Sequence, residues 1–246
     1  MNENTDAGLN VAGNLSKVCG RIKAACERSG RSYEDVTLVA VSKTKPFSDI
    51  LEAASSGVIH FGENYVQELM QKIEQNNSLE EPRPIKWHMI GHLQKNKVKY
   101  LIGQTALIHS VDSKSLAEQI EKKAAKKNQI VRILLEVNVA EEESKWGFTS
   151  ESILQAARDI SLLPHIAVLG LMTSAPITED PETNRIYFRK LRSLAQELAE
   201  NKLLAESDPD FHVPVLSMGM SGDFEVAVEE GATMVRVGTA IFGHRS

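Results

Sequence analysis

Eight short runs of apolar and β-branched residues alternate with longer amphipathic segments along the chain. The runs fall at about 36–42, 58–62, 86–90, 106–111, 130–138, 166–172, 213–217 and 233–237. Segments with the apolar spacing of helices lie between them, at 47–56, 64–76, 93–102, 113–127, 150–162, 181–202 and 222–230. Eight strands with intervening helices indicate parallel crossover units closed into a barrel. The pattern therefore predicts the α/β class and a single (β/α)8 TIM barrel.

An open, doubly wound sheet is the competing architecture. It rarely needs eight such units, and no G-x-G-x-x-G follows the first apolar run. The length of 246 residues suits one undivided barrel, so we expect a single domain over 1–246. A helix at 15–28 that stops near Gly30 precedes the first strand in this prediction. Residues 1–12 are expected to form a flexible tail, and 203–212 a loop.

Charge and composition exclude several classes of partner. The 28 basic and 33 acidic residues leave a net charge of -5, which gives no electrostatic attraction to nucleic acid or to an anionic membrane. The amino terminus lacks a basic and apolar leader, and no stretch of about eighteen apolar residues occurs. Cys19 and Cys26 lie too far apart along one predicted helix to bridge each other. These features predict a cytoplasmic protein with free thiols.

Polar residues gather at the carboxyl ends of the predicted strands, where barrels of this class carry their reactive groups. They are Lys43, Glu63, Asn64, His88, His92, Asp112, Glu136, Asn138, Thr173, Ser174, Ser217 and Arg236. In the fifth run, "VRILLEVNV", Arg132 and Glu136 alternate with an apolar face, so we expect them to point into the barrel. Charged groups inside a barrel favour a ligand site. An internal ion-pair network that only satisfies itself is the alternative.

The first and the last two strands carry the clearest chemical signals. The run "LVAVS" leads directly into Lys43 and Lys45, and an ammonium at the end of a buried strand loses water, which favours the nucleophilic amine. The stretches "LSMGMSGDFE" and "VRVGTAIFG" follow strands seven and eight with small residues, as in the usual phosphate site of this barrel class. Ordinary turns also use Gly and Ser.

A lysine opposite a phosphate site is compatible with two chemistries. One is a Schiff base to a phosphorylated sugar, and the other is a Schiff base to pyridoxal 5'-phosphate (PLP). Arg236 lies two residues before Gly238 on an apolar strand, where it could meet a ring nitrogen while the next loop holds the phosphate. This position favours PLP.

Five stretches resemble the signatures of the pyridoxal phosphate homeostasis protein family. They are "AVSKTKP", "HFGENYVQE", "WHMIGHLQKNK", "GLMTSAP" and "LSMGMSGDFEVAVEEGATMVRVGTAIFG", and they occur in order between about Leu38 and Gly243. That family is similar to the N-terminal barrel domain of alanine racemase standing alone. The resemblance implies a barrel that binds PLP.

The resemblance also implies roles for individual residues. Lys43 corresponds to the Schiff-base lysine, which makes Lys45 a neighbour outside the strand. Arg236 corresponds to the partner of the pyridine nitrogen. Asn64 and His88 match positions that line the pocket, and Ser217, Ser221, Gly222, Gly238 and Thr239 match the phosphate site. Ser174 and Met218 are included in the predicted binding set because their neighbours match, and the resemblance gives them no defined role.

Two functions remain open at this stage. Racemising an amino acid needs an acid-base group on each face of the α-carbon. Lys43 could serve one face, but in the resembled racemases the second group is a tyrosine of an additional β-domain. The tyrosines here fall in segments predicted as loop or helix: Tyr33, Tyr65, Tyr100 and Tyr187. The resemblance implies a carrier that takes up PLP, protects it and delivers it, and a monodomain racemase or related enzyme is the alternative.

The chemistry of Arg236 fits both functions. A guanidinium stays charged and donates to the pyridine nitrogen, which disfavours protonation of the ring and makes it a poorer electron sink. A Schiff-base aldolase is a weaker third hypothesis. PLP-dependent apoenzymes are the expected recipients, and the resemblance suggests a monomer. We expect no metal site, because His88 and His92 flank Gly91 at a strand end and no HExxH is present.

Overall fold

The computed structural model describes residues 10–142 and 145–243. Eight parallel strands follow one another in sequence order, and the pairing of the first with the eighth closes the barrel. The strands are β1 (Thr37–Val41), β2 (His60–Glu63), β3 (Lys86–Met89), β4 (Leu107–Val111), β5 (Val131–Glu136), β6 (Ile166–Met172), β7 (Val215–Ser217) and β8 (Met234–Val237). Each coincides with a predicted run, so the predicted TIM barrel is confirmed.

The helices of the described residues surround the strands. They are α1 (Val11–Ser29), α2 (Phe47–Ser55), α3 (Val66–Asn77), α4 (Val98–Leu101), α5 (Lys114–Ala125), α6 (Ile153–Ser161), α7 (Arg185–Glu200), α8 (Phe224–Glu229) and α9 (Thr239–Phe242). The helix predicted at 93–102 is the main departure, because only a 3-10 turn (Lys95–Lys97) and the single turn α4 form there. Among residues 10–142 and 145–243, no helix is both long enough and apolar enough to cross a membrane.

Helix α1 begins inside the segment predicted as a flexible tail. The Asn10 side chain caps it by accepting the N–H of Gly13 at 2.7 Å, so the helix starts at Val11 rather than after residue 12. The rest of the predicted tail, residues 1–9, lies outside the described residues. At its other end the helix stops at Gly30, whose φ of 69° is the left-handed conformation that glycine adopts freely. This stop was predicted from the sequence.

The strands separate two apolar clusters. In β5, Ile133 and Leu135 pack with the helices in the outer cluster, whereas Leu134 belongs to the inner one, which confirms the predicted alternation. The inner cluster comprises Val39, Leu107, Leu134, Leu169, Met172, Phe211, Val215 and Met234. This cluster does not fill the barrel, and buried polar side chains such as His88, His109 and Arg236 share the interior with it.

The loop between α7 and β7 closes the amino-terminal end of the barrel. Phe211 inserts into the inner cluster and is only 6% exposed. Two ion pairs anchor the loop to the starts of strands: Asp208 with Arg132 at 2.6 Å, and Asp210 with Lys86 at 2.8 Å. The segment predicted as a loop at 203–212 thus has a structural role, and the opposite, carboxyl end of the barrel is left for a site.

Candidate functional site

The carboxyl ends of the strands surround a cavity of about 420 Å³. This volume lies in the range of small-molecule sites, about 300–1,000 Å³. Val41, Ile90, Ile177 and Met220 supply apolar wall, and none of them was predicted. Most of the residues predicted to bind the cofactor line the same cavity: Lys43, Asn64, Ser174, Ser221, Gly222, Arg236, Gly238 and Thr239. The fold thus brings together groups from distant parts of the sequence.

Lys43 reaches the cavity from the turn after β1. Its side chain is half-buried and lines the cavity. Lys45, which the structure also describes, does not line the cavity. Between them, Thr44 has a φ of 63°, a left-handed conformation unusual for a β-branched residue. The Thr44 N–H donates to Glu68 Oε1 at 2.6 Å, which holds the turn in this conformation.

A buried lysine on α3 braces the same turn. Lys72 is 4% exposed, and its Nζ donates to the carbonyl oxygen of Ser42 and to Glu63 Oε1, both at 2.7 Å. It also pairs with Glu68 at 2.6 Å. Burial raises the pKa of Glu63, and the Lys72 ammonium opposes that shift. Sequence reasoning missed this brace, although the i,i+4 pair of Glu68 and Lys72 on one helix was a usable signal.

Arg236 is fixed on the inward face of β8. It is 4% exposed, yet it lines the cavity. One terminal nitrogen donates to the carbonyl and hydroxyl oxygens of Ser217, both at 2.8 Å. The other donates to the carbonyl of Thr173 at 2.9 Å and to Ser174 Oγ at 3.4 Å. No acceptor for its Nε–H is found among residues 10–142 and 145–243, which leaves that donor for a ligand.

Carboxylates near Arg236 keep the guanidinium charged despite its burial. Burial lowers the pKa of Arg236 to about 10, and the charges of Glu136 and Asp223 oppose this shift. In turn, burial and the neighbouring charge of Asp112 raise the pKa of Glu136 to about 7. Arg236 therefore remains a cation at neutral pH, while Glu136 is close to half-protonated.

The loops after β7 and β8 meet at Ser221. Its Oγ accepts the N–H groups of Gly238 at 3.2 Å and Ala240 at 3.3 Å, so two backbone donors converge on one point of the cavity wall. Gly219 allows the first loop to lie against α8, because its φ is 90° and a Cβ there would come within 2.5 Å of the Ala227 side chain. Small residues thus bring backbone donors to the predicted phosphate position.

Asp223 holds the loop after β7 in place through both of its carboxylate oxygens. Its Oδ1 accepts the N–H of Met220 at 2.6 Å, and its Oδ2 accepts the side-chain amide of Asn184 at 2.8 Å. Both partners line the cavity. The carboxylate is 7% exposed and both of its oxygens are engaged, so it shapes the loop rather than presenting a free acceptor to a bound anion.

Three of the predicted cofactor residues lie behind the cavity wall. His88, Ser217 and Met218 are fully buried, and the cavity does not reach them. Met218 packs in the outer cluster, because it follows Ser217 in the chain and so faces the opposite side of the sheet. His88 lies inside the barrel, and Ser217 contacts Arg236 rather than the cavity.

His92 does not meet His88, although they are four residues apart. Its Nδ1 lies 3.0 Å from Asp112 Oδ2, and its ring stacks on Trp146 with the ring centres 4.3 Å apart. Across the part of the chain that the structure describes, no group of three His, Cys, Asp or Glu side chains is placed to hold a metal ion.

We expect Glu136→Gln to stabilise the protein above neutral pH. The native pKa of about 7 exceeds the value of 4.5 for an unperturbed glutamate, so the native state binds more protons than the unfolded state between these values. Stability from this group is present below about pH 4.5 and is lost as the pH rises through 7. Urea unfolding at pH 5 and pH 8 should show the wild type losing ~2 kcal/mol relative to the variant.

Glu118→Gln on the exposed side of α5 is the matched control and should leave the difference between pH 5 and pH 8 unchanged. Equal pH dependence in the wild type and Glu136→Gln would show that Glu136 is not held in a desolvated position.

Comparison with known proteins connects this geometry to a family. Residues 15–246 match the model of the alanine racemase N-terminal domain. The pyridoxal phosphate homeostasis protein of Aquifex aeolicus is 47% identical over 237 residues, covering 96% of this chain and 99% of that protein. The chain belongs to the pyridoxal phosphate homeostasis protein family. The resemblance seen in the sequence motifs is therefore confirmed.

Solved structures of related proteins have the same fold. A protein from Bifidobacterium adolescentis has 36% identity and a TM-score of 0.83, with 94% of each chain covered. PipY of Synechococcus elongatus PCC7942, in a structure with PLP bound, has 32% identity and a TM-score of 0.78, covering 95% of this chain and 100% of PipY. The family barrel is thus seen with PLP in one relative.

Proposed function

We propose that the protein holds PLP in the cavity at the carboxyl end of the barrel. In this proposal Lys43 forms a Schiff base with the aldehyde, Arg236 faces the pyridine nitrogen, and the loops after β7 and β8 hold the phosphate. The observation that carries it is that Lys43, Arg236 and both loops line one cavity, in a family in which PipY binds PLP. The eight cavity-lining residues of the prediction are the proposed binding set.

The groups in the cavity fit this cofactor chemically. PLP supplies an aldehyde for a primary amine, a ring that can accept electrons, and a dianionic phosphate. Lys43 lies on the cavity wall, the Nε–H of Arg236 is available to a ring acceptor, and at the opposite loops a phosphate would replace Ser221 Oγ as the acceptor of the Gly238 and Ala240 N–H groups. Each feature of PLP thus has a counterpart on the wall.

The proposed role is PLP homeostasis rather than catalysis. Arg236 keeps its charge at neutral pH and so disfavours a protonated ring, which weakens the cofactor as an electron sink. Among the described residues, no tyrosine lines the cavity to serve as a second acid-base group. A homeostasis role is in keeping with the name of the Aquifex aeolicus relative. We further propose that the protein is a cytoplasmic monomer that delivers PLP to PLP-dependent apoenzymes.

Carrier and enzyme differ in turnover. In one experiment the purified protein loaded with PLP is incubated with single amino-acid enantiomers, and the products are examined by chiral chromatography. In a parallel experiment it is incubated with excess PLP-dependent apoenzyme, and the transfer of PLP is measured. The carrier function predicts transfer of PLP to the apoenzyme without sustained racemisation. Continued formation of the opposite enantiomer, at more than one product molecule per protein, would favour the racemase alternative.

The phosphate end can be tested with pyridoxal, which carries the aldehyde and ring without the phosphate. Loss of the phosphate contacts removes charge-assisted hydrogen bonds, so pyridoxal should bind at least about 10-fold more weakly than PLP. Equal affinities, measured by equilibrium dialysis, would contradict the role of the two loops.

A further inference from the structure

A chain of hydrogen bonds crosses the barrel interior and ends at Arg236. His60 Nδ1 lies 2.9 Å from His88 Nε2, and His88 Nδ1 lies 2.9 Å from His109 Nε2. His109 Nδ1 lies 2.9 Å from Ser217 Oγ, which accepts an N–H of Arg236 at 2.8 Å. The chain thus links the start of β2, near the closed end of the barrel, to the cation on the cavity wall.

The hydrogen-bond chain from His60 to Arg236 is shielded from solvent along most of its length. His88, His109 and Ser217 are fully buried, and Phe211 packs beside His60 and His88 with ring centres 6.0 Å apart. Burial lowers the pKa of His60 to about 4 and the pKa values of the other two histidines well below their usual value. All three rings are therefore neutral at physiological pH, with one N–H donor each.

Charged groups face the chain at both ends. At His60 the positive charge of Lys86 lowers the pKa further, and the negative charge of Asp210 opposes this shift by a smaller amount. The positive charge of Arg236 likewise lowers the pKa of His109. These cations oppose a proton on the rings from either side.

Arg236 fixes the direction of the last bond in this hydrogen-bond chain, and the Ser217 hydroxyl proton sets the direction of the others. A guanidinium has only donors, so Ser217 Oγ accepts from it. Within the described residues, His109 Nδ1 is the acceptor found for the Ser217 hydroxyl proton. The proton of His109 must then lie on Nε2, where it donates to His88 Nδ1. By the same reasoning His88 donates from Nε2 to His60 Nδ1, and His60 also carries its proton on Nε2.

We propose that His60, His88 and His109 are positioning residues for Arg236, and that their shared Nε2–H tautomer orients the Ser217 hydroxyl so that it accepts from the guanidinium. A single ring with the other tautomer places a donor against a donor or an acceptor against an acceptor, and a doubly protonated ring places two donors against each other, so either one breaks the hydrogen-bond chain. The link to PLP rests on the proposed function, whereas the orientation of Arg236 does not require a ligand.

The test begins with the PLP-free protein and nitrogen NMR of its histidines. Wild type should show an unprotonated Nδ1 and a protonated Nε2 for all three rings, together with resolved signals from the terminal N–H groups of Arg236, because a fixed guanidinium rotates slowly. A protonated Nδ1 on His109 would overturn the proposal whether or not PLP binds.

Variants of His109 separate positioning from packing. His109→Leu removes the acceptor for Ser217, and the resolved Arg236 signals should collapse. His109→Asn offers a side-chain oxygen near the Nδ1 position and should restore them. Leu134→Ala leaves a cavity in the inner cluster but removes no group of the hydrogen-bond chain, so it should lower stability without changing the histidine tautomers or the Arg236 signals. Unchanged Arg236 signals in a folded His109→Leu protein would refute the positioning role.

PLP affinity supplies a separate readout. His109→Leu should bind PLP at least about 10-fold more weakly than the wild type, because Arg236 loses the fixed orientation in which it faces the ligand, and His109→Asn should recover most of this loss. If wild type shows the expected tautomers but does not bind PLP, the proposed function fails while the positioning of Arg236 stands.

Discussion

We expect the Lys43→Ala variant to lose covalent capture of PLP and the Lys45→Ala variant to keep it. Both lysines follow β1, but the cavity wall includes Lys43 and not Lys45 within the described chain. Only an amine in the cavity can reach an aldehyde held by the opposite loops. Lys43→Ala should therefore lose the visible absorption band and retain PLP at least ~100-fold less well through dialysis, equivalent to ~2.7 kcal/mol.

Lys43→Arg is the matched charge control. A guanidinium preserves the positive charge but does not form a Schiff base under these conditions, so this variant should behave like Lys43→Ala in the visible spectrum. If Lys45→Ala loses the band while Lys43→Ala keeps it, the reactive amine has been assigned to the wrong side of the turn.

The second large effect is loss of stability in acid. His60, His88 and His109 have native pKa values below the ordinary 6.5, at about 4 for His60 and well below 6.5 for the others, because burial disfavours the charged ring. The unfolded chain binds protons at these residues first as the pH falls. Their stabilising contribution is therefore present above about pH 6.5 and is lost progressively below it.

The size of this effect follows from the number of protons. Each histidine protonated only in the unfolded state lowers the free energy of unfolding by ~1.4 kcal/mol per pH unit, so His60, with a native pKa of about 4, accounts for about that much between pH 6 and pH 5. Replacing His60 with glutamine should reduce the measured slope by about this amount. The exposed His212, close to Phe211 in the chain, provides the control, and His212→Gln should leave the slope unchanged. Identical slopes for wild type and His60→Gln in urea unfolding would rule out a neutral buried chain.

The barrel was predictable because strand and helix periods are local properties. All eight strands, the stop at Gly30 and the loop before β7 could be read from apolar spacing and turn residues. The helix predicted at 93–102 was wrong over most of its length, because the segment forms a 3-10 turn followed by the short helix α4. An amphipathic pattern alone does not distinguish this arrangement from one continuous helix. Tertiary packing overrides a weak local preference in such segments.

The site was predictable where strand order alone decides position. Lys43, Arg236 and the loops after β7 and β8 meet because the carboxyl ends of parallel strands share one face of a barrel. The histidine chain could not be derived in this way, because His60, His88 and His109 lie on three strands and their contact depends on register. The register between β4 and β5 shifts beside His109, between Ile108 and Val111, and apolar spacing alone does not report such a shift.

The most direct test of the central claim is the absorption spectrum of the purified protein with PLP, followed by borohydride reduction and a peptide map. The expected result is a visible band that borohydride bleaches, with the reduced pyridoxyl group on the peptide that contains Lys43. A protein that stays colourless with excess PLP, or one in which the label lies on another lysine, would contradict the assignment of this cavity.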